Sequence, residues 1–371
     1  MCIFNGERVK AEIDLSAVDY NFSVIRSKAC GARVMAVVKA DAYGHGAEQI
    51  ARFLQAKADF FGVAGVSEGA KLREAGIKNP VLVLGCTPEN MINSLIDYDL
   101  SATVNSLSTA EKLSAAALKR KTKVKVHLAV DTGMTRLGFD RRDYFGIAKA
   151  LQTEGLEPEG IFTHFASADT DAHSLLRQKA AFDDLLKKLS DDGVSAGVTH
   201  AANSAALLTE GNCGYGMVRA GLALYGVSPF SDKGNSGLKE VMSMKARIVQ
   251  IKKVPSGTEI GYGGTFVTKR PSLIATVSAG YADGYPWRLS NTGRILVKGR
   301  YAPVAGRICM DQFMADVSEI DGVDEGDEAV LAGCQGGRRI TMAEIAREAG
   351  STVYEQLCRT GARVPRIYLK N

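Results

Sequence analysis

Between Val34 and about Gly226, apolar runs of four to seven residues alternate with longer amphipathic stretches. The runs cover residues 34–38, 60–65, 81–84, 101–104, 124–130, 160–164, 198–201 and 218–224. Among the amphipathic stretches Ser174–Leu189 is the clearest, with Leu175, Leu176, Phe182, Leu185, Leu186 and Leu189 assigned to one helix face and Gly193 as the stop. Strands apolar on both faces and separated by helices predict a parallel sheet covered by helices. Eight such units over about 200 residues favour a closed (β/α)8 barrel over an open doubly wound sheet. No G-x-G-x-x-G follows the first run, so a dinucleotide fold has no support.

After about Asn235 the period changes. Short β-type runs at 244–254, 272–277, 294–297, 301–308, 313–317 and 329–331 are separated by Gly-rich turns. One helix is predicted over Thr341–Ala349, capped by Thr341 with Glu344 three residues on. The Gly/Ser-rich stretch 231–238 reads as a linker. The expected organisation is an (β/α)8 barrel over 10–235 and a mostly β domain over 236–371.

Composition narrows the classes. Apolar residues make up 46% and charged residues 23% of 371, as in ordinary globular proteins. Apolar runs are strand-length, so no membrane span is predicted. The first eight residues lack a signal-peptide core. Seven scattered cysteines form no C-x-x-C pair, which points to a reducing, cytoplasmic setting and away from a zinc site or any other metal. The net charge of +5 is spread along the chain, so nucleic acid is not an expected partner.

In a barrel, chemistry sits where strands end at the C-terminal face. The first run ends in Lys39, followed by Tyr43 in Ala-Tyr-Gly-His-Gly. Alone, such a lysine reads as a side chain snorkelling to solvent. At a desolvated strand end its pKa should fall, freeing the amine for imine or proton-transfer chemistry. The other strand ends favour this second reading. The fifth runs into Asp131-Thr132-Gly133-Met134-Thr135-Arg136, the sixth ends in His164, the seventh carries His200, Asn203 and Ser204, and the eighth carries Arg219. Ser204 with the backbone at Gly221 and Leu222 would cradle a phosphate. A lysine, a phosphate cradle and two arginines at one mouth are what a pyridoxal phosphate (PLP) enzyme requires.

These residues stand in motifs that resemble the alanine racemase family. Ala36-Val37-Val38-Lys39-Ala40-Asp41-Ala42-Tyr43-Gly44-His45-Gly46 looks like its PLP-lysine motif. The likeness continues through residues 130–138, 163–169, 200–204, 217–221, 260–265, 280–284 and 306–311, and ends at Arg363-Val364-Pro365-Arg366. It implies that Lys39 holds PLP and is the base for D-alanine, and that Tyr262 is the base for L-alanine. A tyrosine with a pKa near 10 is a poor base at pH 7 and needs cationic company, which the resemblance assigns to His164 and Arg219. Arg219 is expected at the pyridine nitrogen, Arg136 at the phenolic oxygen or substrate carboxylate, and the Met310 N–H at the carboxylate. Tyr43, Ser204, Gly221 and Leu222 are expected at the phosphate. The family pattern also implies a head-to-tail homodimer, in which the β domain of one subunit completes the site of the other.

Two departures from the family stand out. Relatives carry a lysine where this chain has Ala129, which leaves Arg136 to be held by a bound anion or a neighbouring side chain. Some have a tyrosine just before Arg-Val-Pro-Arg that narrows the pocket; Ala362 here suggests a wider one and a broader or serine-directed racemase. The rivals are a PLP-dependent decarboxylase on the same plan, which would not need the Tyr262 base, and a single-barrel PLP carrier, which would lack the second domain.

Overall fold

The computed structural model describes residues 7–230 and 237–370; residues 231–236 of the expected linker lie outside the described residues. The chain divides into two compact units, one holding residues 18–42 and 46–239, the other residues 7–17, 43–45 and 240–370.

The first unit is built on eight parallel strands: Arg33–Val37, Phe60–Val63, Val81–Val83, Ser101–Val104, Val124–Asp131, Leu156–Phe162, Val198–His200 and Met217–Ala220. Each pairs with the next, and Met217–Ala220 returns to Arg33–Val37 through Val218↔Val34, which closes the barrel. Several strands, such as Phe60–Val63 and Met217–Ala220, are buried at every position, as strands covered on both faces must be. The helix Ala172–Asp191 starts at Asp171, whose carboxylate accepts from the Ser174 N–H at 3.0 Å. It buries Leu175, Gln178, Phe182, Leu185 and Leu189, each apolar side chain contributing about 1.5–3 kcal/mol. Leu176, expected on that face, is 56% exposed because it sits one position, about 100°, away from Leu175.

The second unit contains a closed antiparallel barrel of six strands. Met242–Val254 pairs with Ser272–Val277, and the ladder continues through Phe313–Asp316, Arg300–Ala305, Arg294–Val297 and Glu328–Gln335 back to Met242–Val254. Register irregularities at Met244/Lys245 and Ile248/Gln250 bend the long strand so that the sheet can close. Thr341 caps the helix Met342–Glu348 in the expected capping box with Glu344.

Further elements of this unit lie outside the expected set. Val9–Asp14, placed with the barrel by sequence, pairs antiparallel with Met242–Val254, and Arg366–Leu369 adds parallel to it. Its alternation buries Val9, Ala11 and Ile13, while Lys10 and Lys245 meet Glu12 at 2.7 and 2.8 Å. The short helix Val353–Cys358 is capped by Thr352. Among the described residues no helix is long and apolar enough to cross a membrane.

Candidate active site

The barrel strand ends at Val37, and Lys39 opens a turn of the opposite hand to an ordinary helix. Ala40, Asp41, Ala42 and Tyr43 all have φ between 52° and 55°. An L-residue in this region costs about 1–2 kcal/mol, so the four together store about 4–8 kcal/mol. Specific partners hold the turn. The Glu68 carboxylate accepts from the N–H groups of Ala40 (2.8 Å) and Ala64 (2.7 Å), tying it to the next strand end. Asp41 accepts from the Ala47 N–H at 2.8 Å, and the Tyr225 hydroxyl donates to the Val37 carbonyl at 2.9 Å. Lys39 thus leaves the barrel from a backbone with little freedom.

Arg219 lies at the centre of the strand ends. It is 4% exposed and faces no carboxylate: one terminal nitrogen donates to His200 Nδ1 at 3.0 Å. The other donates to the carbonyls of Thr163 (2.8 Å) and Ala201 (3.0 Å) and to His164 Nδ1 (3.1 Å). Burial and the nearby Arg136 pull its pKa down to about 9, which leaves it a cation at neutral pH. Burial, then the charges of Arg219, Arg136 and Lys39, push His164 down to about 3. His164 is therefore neutral, and the charge of the pair belongs to Arg219. Because a guanidinium only donates, His164 Nδ1 must accept, and its proton sits on Nε2.

Beside this cation, the N–H groups of Gly221 and Ala223 converge on Ser204 Oγ at 3.1 and 3.2 Å. Leu222 begins the short 3-10 turn that follows, where its N–H has no acceptor within the turn. The cluster offers a hydroxyl and oriented N–H donors to one anionic group.

Asp131 Oδ1 accepts from the N–H groups of Gly133, Met134 and Thr135 and shapes the loop that presents Arg136. Gly138 (φ 129°) is required, since a Cβ there would lie 2.8 Å from the Asp131 nitrogen. Arg136 is exposed, and among the described residues no hydrogen bond or ion pair holds it. Ala129 is a buried methyl in the preceding strand with no polar atom to offer, so no neighbouring side chain takes the absent lysine's place. Gln178, not singled out from sequence, joins two strand-end segments: it donates to Thr132 Oγ1 (3.1 Å) and the His164 carbonyl (3.0 Å), and accepts from the Ala166 N–H (2.8 Å).

Tyr43, Tyr262 and Met310 belong to the other unit. Tyr262 stands at the tip of the hairpin Glu259–Ile260/Phe266–Val267 and is 71% exposed. Gly261 and Gly263 around it have φ of 71° and 72°, which glycine adopts readily. Met310 is also exposed; its carbonyl accepts from the Ala282 N–H (3.1 Å) and from Arg363 (3.4 Å), while its N–H carries no hydrogen bond among the described residues. Tyr43 is buried with its pKa raised by burial, and its ring centroid lies 6.4 Å from that of Tyr354. Tyr354, eight positions before Ala362, thus places an aromatic ring beside Tyr43.

An eight-stranded barrel bearing an amine, a buried guanidinium that faces no carboxylate and a hydroxyl ringed by backbone N–H groups at its strand ends defines a barrel enzyme of amine chemistry. Residues 13–229 match the family described as alanine racemase, N-terminal domain, and residues 241–368 the alanine racemase C-terminal domain. The chain is 44% identical over 363 residues to the alanine racemase of Halothermothrix orenii, covering 96% of each. It is 43% identical to that of Carboxydothermus hydrogenoformans, with 97% of this chain and 99% of the relative covered. Among solved structures, the Clostridium difficile 630 alanine racemase superposes with a TM-score of 0.94 at 37% identity, covering 99% and 97% of the two chains. The enzyme from D-cycloserine-producing Streptomyces lavendulae gives 0.93 at 38%, covering 98% and 97%. The chain belongs to the alanine racemase family.

Proposed function

We propose that this chain interconverts L- and D-alanine with PLP bound at the barrel mouth, with Lys39 and Tyr262 as the two proton carriers. Membership of the family makes it an isomerase acting on alanine, and the family is PLP-dependent. Its residues fit that cofactor. Ser204 with the N–H groups of Gly221 and Leu222, joined by Tyr43, would hold the phosphate; Arg219, a buried donor facing no carboxylate, would meet the ring nitrogen; Lys39 would hold the carbonyl end. When bound, PLP withdraws electrons from the substrate α-carbon and so acidifies its proton.

The remaining work falls to side chains. A single base tends to return a proton to the face it came from, so inversion needs a second on the other face. Lys39 would serve the D-enantiomer and Tyr262 the L-enantiomer. Neutral His164, with its proton on Nε2, is a donor suited to a tyrosinate oxygen, and the Arg219 charge behind it favours that anion. Arg219, a cation at neutral pH, would face the ring nitrogen as a donor and so favour its unprotonated form, which would disfavour transamination. Arg136 and the Met310 N–H would take the substrate carboxylate.

The observation that carries the proposal is Arg219: a buried cation facing no carboxylate among the described residues, donating to a histidine that burial first, and then its charge, hold neutral. Tyr262 and Met310 stand exposed on one chain, which supports a homodimer in which a second copy covers and uses them. Six free cysteines among the described residues accord with a reducing cytoplasm. Chiral chromatography of an amino-acid panel with added PLP tests the reading: L- and D-alanine should interconvert, with serine much slower. Release of CO2 from basic amino acids without racemisation would replace it with the decarboxylase reading.

A further inference from the structure

His200, which receives Arg219 at the strand ends, is itself held from below. Its Nε2 lies 2.9 Å from His127 Nδ1, and His127 Nε2 lies 3.2 Å from Glu159 Oε2, which also accepts from the Ser101 hydroxyl at 2.5 Å. Both imidazoles are fully buried. His127 reaches the barrel interior, where Phe60, from a strand not adjacent to its own, meets it edge-on at 5.9 Å, and Phe162 stacks on His200 at 4.9 Å.

The direction of every bond in this row follows from its ends. Arg219 can only donate, so His200 Nδ1 accepts and a neutral His200 carries its proton on Nε2. That proton makes His127 Nδ1 an acceptor and places the His127 proton on Nε2, facing Glu159. Burial lowers both imidazole pKa values, so both are neutral. Burial raises that of Glu159, but bonds from His127 and Ser101 outweigh it, so Glu159 is a carboxylate. The row runs from anion to cation through two imidazoles that each have one permitted tautomer.

The backbone is shaped for it. Val126 pairs with Pro158 but His127 with Gly160, so Glu159 is the extra residue of a bulge, which re-aims its side chain. A Cβ at Gly160 would strike His127 Nδ1 and the Val198 carbonyl, so only glycine leaves the imidazole its place.

We infer that Glu159 and His127 are positioning residues for the racemisation site: they fix His200 in its Nε2–H tautomer, so that Nδ1 remains an acceptor holding the Arg219 guanidinium in place. The catalytic consequence rests on the function proposed above; the tautomers do not. Ring ¹⁵N shifts of the histidine-labelled holoenzyme, with five histidines to assign, test the inference directly. Expected are neutral Nε2–H forms for both His127 and His200. Glu159→Leu should disturb the His200 shifts and lower kcat about 10-fold, as for outer-shell partners of metal-bound histidines, with KM changed less than about 2-fold. Glu159→Gln, which keeps an acceptor, should restore both. A His200 proton on Nδ1 in the unmodified enzyme overturns the inference, as do unchanged shifts and kcat in Glu159→Leu. Should that variant not fold, the unmodified enzyme and Glu159→Gln still decide. A preparation that racemises nothing would sink the proposed function and leave the tautomer result standing.

Discussion

Replacing Ala40 with glycine tests the left-handed turn beneath Lys39. Ala40 has φ 52° and ψ 50° and is exposed, so the change removes little packing. Leaving this conformation to a residue without Cβ recovers about 1–2 kcal/mol. Glycine's greater freedom in the unfolded chain takes back about 0.5–1 kcal/mol. Ala40→Gly should therefore be neutral or stabilising by up to about 1.5 kcal/mol. The control is Ala115→Gly, an exposed position inside the right-handed helix Leu107–Lys119, which should lose about 1 kcal/mol. Urea unfolding followed by circular dichroism compares the two midpoints. Because the strain also restricts how Lys39 leaves the barrel, Ala40→Gly should lower kcat while leaving the fold intact. Equal destabilisation by the two substitutions would refute the turn's handedness and the pre-positioning argued from it.

Other outcomes follow from the same geometry. Purified protein should be yellow with PLP, and Lys39→Ala should abolish the visible band of the lysine-bound cofactor; an unchanged spectrum removes Lys39 from its role. His164 binds a proton only near pH 3 when folded but near 6.5 when unfolded, so its contribution is full above about pH 6.5 and falls as pH drops towards 3. His164→Gln should flatten the decline of the urea midpoint over that window, and an unaltered slope would contradict the neutral assignment. With Tyr354 beside Tyr43, alanine should be strongly preferred to serine, and Tyr354→Ala should narrow that gap in competition assays; serine turnover matching alanine in the unmodified enzyme would count against it.

Much of this was legible in the sequence. Barrel strands are apolar on both faces, so their runs stand out whatever the loops do; Lys39, His164 and Ser204 fall at or just after the ends of such runs, and Arg219 is the charged residue inside the last one. What was hidden depends on long-range or backbone geometry. Nothing local in Ala40-Asp41-Ala42-Tyr43 announces four left-handed residues. The alternation of Val9–Asp14 marks a strand but cannot say which sheet it joins, and the pairing with Met242–Val254 spans over 200 residues. Gln178 is a polar residue on an apolar helix face, and nothing local says that its partners lie at two strand ends. Glu159 sits one residue from a glycine in a run that reads as plain strand; only the bulge turns it towards His127. Tyr354 lay outside the motif that drew attention to Ala362, and only the fold brings its ring to Tyr43.

The most direct test of two-sided proton transfer is α-proton exchange in D2O by the Tyr262→Phe variant, followed by proton NMR separately for each enantiomer of alanine. With Lys39 intact and the phenol gone, D-alanine should still exchange its α-proton, while L-alanine should exchange at least 100-fold more slowly than with the unmodified enzyme, on the order expected for loss of a positioned base. Equal exchange of both enantiomers by the variant would contradict the account, because it would mean that one base reaches both faces.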